Sequence, residues 1–286
     1  MTAVTDFDAA WDYGDPAASE AAFRALLPAA RKSGDPDYQA QLLTQIARAQ
    51  GLQLRFDEAA RTLDEAEALI GPELRVARVR LLLERGRLLN SSQRGEESKP
   101  FFRDAWELAR EAGADGLAVD AAHMLGIVEP GEASIAWNRT AIAYAEASSD
   151  PTARRWLGSL TNNLGWTYHD AGDHDTALRL FEQALAAREA EGDEEKIRIA
   201  RWCVARTLRS LGRTGEALAA QQRLLAETDA DGYVHEELAE CLAELGRDAE
   251  AKPHFAAAHE LLAQDPWLQR DDPGRLERLR SLGGIA

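Results

Sequence analysis

The chain has 286 residues, with 45% hydrophobic and 29% charged, which suits a folded domain rather than a disordered segment. Its 33 Lys and Arg stand against 49 Asp and Glu, a formal net charge of −16. That surface repels a phosphate backbone unless basic residues are concentrated, so nucleic acid is not an expected partner.

Ala, Leu, Arg and Glu dominate, which is a helix-forming composition. A recurring pattern is legible in chain order: apolar residues at helical spacing, a turn, a small residue, a large residue four positions on, and a small or apolar residue three beyond that. The first unit, near 1–39, carries Ser19, Phe23 and Leu26. The second, near 40–78, carries Ala59, Leu63 and Ala66, and the third, near 79–118, carries Ser98, Phe102 and Ala105. The fourth, near 119–157, is shortened: Leu125 to Asp150 is 25 residues, whereas the equivalent Leu164 to Asp193 is 29, and Pro130–Gly131 ends its first helix early. That lost turn is either a tolerated deletion or a notch with a function. The fifth, near 158–197, has the fullest pattern, with Leu164, Gly165, Tyr168, Ala177, Phe181 and Ala184. The sixth, near 198–231, has Ala217, Gln221 and Leu224; the seventh, near 232–264, has Leu238, Ala239, Leu242, Ala251, Phe255 and Ala258. Residues 265–286 leave the frame, and PGRLERLRSL reads as a short helix with Pro in its first turn. Trp267, Leu276, Leu279 and Leu282 are positioned to cover the last apolar face. Gly and Asp fall at the expected stops and starts, in SGDPD (33–37), AGADG (112–116), SSDPT (148–152) and EGDEE (191–195).

This pattern resembles the tetratricopeptide repeat, in a long form of about 40 residues similar to LGN/Pins-like and, more loosely, kinesin-light-chain-like repeats and bacterial peptide-sensing regulators. The resemblance implies an all-α fold: a right-handed superhelical solenoid of antiparallel helix pairs, about seven helix-turn-helix units over 1–264, and a C-terminal capping helix. Helix content of roughly 70% or more follows, well above the globular average.

The segment GWTYHDAGDHDTAL, residues 165–178, packs His169, Asp170, Asp173, His174 and Asp175 into one stretch. In the repeat frame it is the turn between paired helices. Asp173 or Asp175 is then an N-cap and His169 lies in the last turn of the first helix. Two histidines five apart across a turn set no coordination geometry, so no metal is expected. The two cysteines, Cys203 and Cys241, form neither a disulfide framework nor a metal motif, and no cofactor is expected. The chain has no phosphate-binding Gly loop, nucleophile elbow or zincin helix, and an enzyme is not expected. The N-terminal MTAVTDFDAAWDYGDP is acidic without an apolar stretch, so neither a signal peptide nor a membrane anchor is expected. A reducing cytoplasm is the expected compartment. With Lys at only four of the 33 basic positions, the composition points to a GC-rich bacterial genome.

Function is then expected on the concave side, which the resemblance assigns to the first helix of each pair. Positions at helical spacing there include Asp120, Ile199 and Tyr233 beside the candidate site residues Arg48, Arg80, Arg87, His123, Asn162, Trp166, Trp202, Arg206 and Arg209, with Asn163 next to them. Few acids are expected to oppose the arginines before the last repeat. The Asn162–Asn163 pair resembles the Asn pair by which long-repeat adaptors hold the backbone of an extended peptide. The leading expectation is a protein- or peptide-binding adaptor for an acidic segment or a C-terminal carboxylate. A ligand-responsive sensor is the alternative, and an enzyme subunit a third. The oligomeric state is open.

Overall fold

In the computed structural model, which describes residues 7, 10–227 and 231–285, 82% of those residues are helical and none is in a strand. The helical expectation is met. Two compact units form, Met1–Leu160 and Thr161–Ala286.

The first unit holds α1 (Pro16–Ser33), α2 (Pro36–Leu52), α3 (Phe56–Glu67), α4 (Arg75–Ser91), α5 (Gly95–Glu111), α6 (Asp115–Val128), α7 (Gly131–Ala147) and the single turn α8 (Pro151–Arg154). Each packs on the next: α2 on α3, α4 on α5, α5 on α6, α6 on α7, and α2 also on α4. α9 (Leu157–Asp170) follows, and the second unit continues with α10 (His174–Glu191), α11 (Glu194–Ser210), α12 (Thr214–Glu227), α13 (Gly232–Glu244) and α14 (Asp248–Leu262). It ends in α15 (Pro266–Asp271) and α16 (Pro273–Gly283).

Punctuation residues set these bounds. Asp35, Asp150 and Asp193 cap α2, α8 and α11 by accepting the backbone N–H groups of Tyr38, Thr152 and Lys196. Gly34, Gly172 and Gly192 take left-handed φ values of 71°, 83° and 75°, where a side chain would strain the backbone. Asp115 departs from the pattern. It lies inside α6 and accepts from the Tyr144 hydroxyl at 2.9 Å and the Ser148 hydroxyl at 2.5 Å, tying α6 to the end of α7.

The large residue in the second helix of each pair is the centre of packing. Phe23, Leu63, Phe102 and Phe181 have no exposed surface, and Phe255 has 4%. Each contributes roughly 1.5–3 kcal/mol by burial. The small residue in the first helix permits this: a Cβ added at Gly86 would stand 2.5 Å from the Phe102 ring, and one at Gly165 would stand 2.7 Å from Phe181.

Two units place an amide at this centre. In the shortened unit the frame is Ser134, Asn138 and Ala141, all buried, and the Asn138 amide donates to the Ser134 carbonyl at 3.0 Å. In the other, Gln221 is fully buried, and neither its side-chain nitrogen nor its oxygen has a hydrogen-bond partner among the described residues. A buried unsatisfied amide costs about 1–3 kcal/mol. Gln221→Met, which keeps the shape and removes the polar atoms, is therefore expected to raise stability by about 1–2 kcal/mol, read as a higher urea midpoint at unchanged slope. A lower midpoint would mean the amide is satisfied in solution.

The ends differ from the inner pairs. Before α1 no α-helix forms among the described residues. Phe7 and Trp11 instead cover the Phe23 ring, with centroids 6.5 and 5.0 Å away, and the Trp11 indole N–H donates to Gln45 at 3.0 Å. At the other end Leu268, Leu276 and Leu279 are buried in the core that α14 lines. Of the four expected capping residues, Leu276 and Leu279 do this work. Leu282 is 43% exposed, and Trp267 is half-buried under the Arg270 guanidinium, 4.5 Å from its ring. Leu282 follows Leu279 by three residues on a helix whose other face is already in water, and Leu268 on α15 fills the space in its stead.

Candidate functional site

The residues singled out from the sequence sit on α2, α4, α6, α9 and α11, the first helices of their pairs, and fall into one set in each unit.

In the first unit Arg48, Arg80, Arg87 and His123 come from α2, α4 and α6. Arg87 is the buried centre of the set. Its guanidinium pairs with Glu84 one turn earlier and with Asp120 on α6; these acids are 5% and 6% exposed. Burial pulls Arg87 toward neutrality, but Asp120 and Glu84 more than reverse this and hold it charged. Burial likewise opposes the Asp120 charge, and Arg87 and Arg48 hold its carboxyl below the usual range. Arg48 reaches Glu84 loosely, at 3.5 Å, and lies 5.7 and 5.6 Å from the Trp11 and Tyr13 ring centres. Arg80 donates to Gln41 at 3.1 Å and sits 5.8 Å from the Phe7 ring. His123 is half-buried against Trp156, 5.2 Å between centroids, and burial lowers its pKa to about 4, aided by Arg87 and Arg48 and opposed by Asp120. The expectation of few opposing acids is thus corrected here: Glu84 and Asp120 meet the arginines from one repeat away or one turn away.

In the second unit Trp166 on α9 and Trp202 on α11 lie 5.9 Å apart, with Trp166 also against Phe181 at 5.0 Å. The Trp202 indole N–H donates to the Tyr233 carbonyl at 3.2 Å. Asn162 and Asn163 are half-buried on α9, and the Asn163 carbonyl accepts from Thr167 at 3.1 Å. Arg206 and Arg209 share Glu237, at 2.8 and 2.9 Å, and Arg209 reaches Glu244 at 2.6 Å. Burial pushes the Glu237 carboxyl up, against the pull of Arg209 and Arg206. Here too an acid of the next first helix opposes the arginines.

The histidine- and aspartate-rich turn joins this set at one edge. Asp173 caps α10 by accepting from Thr176 N at 3.1 Å, and His169 ends α9, its Nε2 2.9 Å from the Ser210 hydroxyl, which Arg206 also contacts at 2.8 Å. Burial, Arg206 and His174 together hold the His169 pKa down. Cys203 and Cys241 are buried free thiols, each pushed up to about 12 by burial, which makes them poor nucleophiles.

A cavity of about 400 Å³ opens between α11 and α13, walled by Ile199, Trp202, Leu224, Val234 and Tyr233. Ile199 is 52% exposed and Tyr233 37%. Of its lining, Ile199, Trp202 and Tyr233 stand at face positions read from the sequence, and Trp202 was the candidate site residue. Tyr233 follows the Asp231 cap, and residue 233 lies about one repeat after Trp202, a spacing that marks neighbours on adjacent first helices.

Two overlapping stretches, residues 131–190 and 156–229, match the family model described as tetratricopeptide repeat. The stretch 131–229 is thus of the tetratricopeptide repeat type. Solved structures share this repeat fold at low identity. A STAND protein with a tetratricopeptide repeat sensor from Pyrococcus horikoshii superposes at TM-score 0.66 with 14% identity, over 94% of this chain and 42% of that one, so the chain spans less than half of that protein. The apo quorum sensor NprR from B. thuringiensis superposes at 0.69 with 15% identity, over 98% and 79%. NprR in complex with its cognate peptide NprX superposes at 0.64 with 16% identity, over 99% and 84%. No curated protein matches the sequence. Among the described residues, no helix is long and apolar enough to cross a membrane.

Proposed function

We propose that this tetratricopeptide repeat chain is a non-catalytic scaffold that binds a protein or peptide segment on the face formed by its first helices. One observation carries the reading: Ile199, Trp202 and Tyr233 leave apolar and aromatic surface open around a cavity of about 400 Å³, on helices that the fold holds fixed. The titratable groups nearby support it by being committed to holding helices together, as Arg209 on α11 is with Glu237 and Glu244 on α13, rather than converging on a reacting atom.

In the first unit Arg48 meets Glu84 at 3.5 Å, more loosely than Arg87 meets Glu84 and Asp120. An acidic side chain or C-terminal carboxylate docks there; in the second unit, taken by itself, Asn162 and Asn163 hold backbone and Trp166 and Trp202 give apolar area. The structural likeness to NprR with its cognate peptide favours a peptide-sensing form of this reading over a purely static scaffold.

A partner captured from the native lysate tests it. Arg48→Gln and Arg206→Gln are each expected to weaken binding about ten-fold, close to 1.4 kcal/mol, and Arg94→Gln, an exposed residue just before α5, to leave it unchanged. If both face variants fold and bind as the parent does, the face is not the binding surface.

A further inference from the structure

The mouth of the cavity between α11 and α13 narrows what it accepts, given the binding reading above. Its polar lining is two carboxylates, Glu195 and Asp231, against one guanidinium, Arg198. Asp231 is fixed in place as the cap of α13, accepting from the backbone N–H groups of Tyr233 at 2.9 Å and Val234 at 3.3 Å. The Trp202 indole N–H is spent on the Tyr233 carbonyl, which locks the ring and leaves its π surface as what it offers. The two aromatic rings stand 6.1 Å apart at 73°. The Tyr233 ring already attracts a cation: Arg275 lies 5.3 Å from its centre, held in turn by Glu236. Apolar walls, aromatic faces and a net negative rim together fit a cation carried on an aliphatic stem.

We propose that this cavity takes a lysine or arginine side chain from the bound segment. The stem lies on Ile199, Leu224 and Val234, and the charged head sits by the Trp202 and Tyr233 rings within reach of Glu195 and Asp231. An acidic side chain meets the negative rim, and a neutral aliphatic one uses the walls alone.

The test uses the full chain and three blocked pentapeptides, acetyl-Gly-Leu-X-Leu-Gly-amide with X as lysine, norleucine or glutamate. Binding is followed by the indole N–H resonance of Trp202, assigned with Trp202→Phe. The lysine peptide is expected to bind at least about five-fold more tightly than the norleucine peptide, with the glutamate peptide weakest. Glu195→Gln is expected to bring lysine and norleucine to within about two-fold by weakening the lysine peptide only. Equal binding of lysine and norleucine, tighter binding of glutamate, an unchanged preference in Glu195→Gln, or no shift of the Trp202 resonance with any peptide would each overturn the assignment. Equal binding of lysine and norleucine still leaves a peptide-binding face, whereas the binding face itself fails only if a captured partner ignores Arg48→Gln and Arg206→Gln.

Discussion

Arg87→Ala is expected to destabilise the protein by about 3–5 kcal/mol, the largest effect of any single substitution on the candidate face. The loss of two ion pairs is the smaller part. Glu84 and Asp120 are almost fully buried, and without the guanidinium Asp120 keeps the longer-range fields of Arg48 and His123, while Glu84 keeps a contact of 3.5 Å to Arg48. An uncompensated buried carboxylate is what makes breaking such a pair more costly than never having built it. Arg87→Lys retains the charge but not the fork that serves two acids, and falls between. Arg87→Met with Asp120→Asn leaves only Glu84, still in contact with Arg48, and is expected to recover part of the loss. Urea denaturation of the three variants at neutral pH reads this. A loss below about 1 kcal/mol for Arg87→Ala would mean the network behaves as a solvent-screened surface pair. One practical consequence follows for binding studies: variants at Arg87 report on folding, so Arg48 and Arg206 are the positions to use.

His123 gives the second large effect, through pH. Its folded-state pKa of about 4 lies below the value near 6.5 of an unfolded chain, so the unfolded state takes up a proton first. Stability from a neutral His123 is complete above about pH 6.5 and is lost as pH falls from there through about 4. Between pH 7.5 and 4.5 that loss is about 2.5 kcal/mol. His169, His235 and His254 are also held low by burial and act in the same direction, so the difference from His123→Gln isolates one residue. The variant is expected to lose about 2.5 kcal/mol less than the parent over this range. Asp120 works in a lower window: its carboxyl is held below the ordinary 3.8, so its contribution disappears only at more acid pH. Parallel pH profiles for parent and His123→Gln would show that the imidazole is solvated in the folded state.

Much of the fold is legible because repeats write the same rule several times. Phe102, Phe181 and Phe255 recur at one position with a small residue four before, and Gly34, Gly172 and Gly192 mark helix ends where a left-handed residue is needed. The shortened unit hid its own frame, since its lost turn shifts Ser134, Asn138 and Ala141 out of step and Asn138 is not aromatic. The ends were hard to read for a different reason: Phe7 and Trp11 cover Phe23 from a segment with no helical period, and Leu268 takes a place that spacing assigned to Leu282. At the candidate face the arginines and Asp120 were legible as positions, and which acid meets which arginine was not. Arg48 meets Glu84, Arg87 meets Asp120 and Arg209 meets Glu237, acids 36, 33 and 28 positions away. No local pattern shows such pairs. Stacking of like faces at one repeat's separation does, because it brings position i of one first helix beside the corresponding position of the next.

Hydrogen exchange with and without a captured partner tests the central claim most directly, since it reports which helices the partner covers. The account predicts slowed exchange in the first helices of the pairs, in α2 and α4 and in α11 and α13 around Trp202 and Tyr233. The second helices α3, α5, α12 and α14 should exchange as before. Protection confined to those second helices, or to the chain ends, would contradict it.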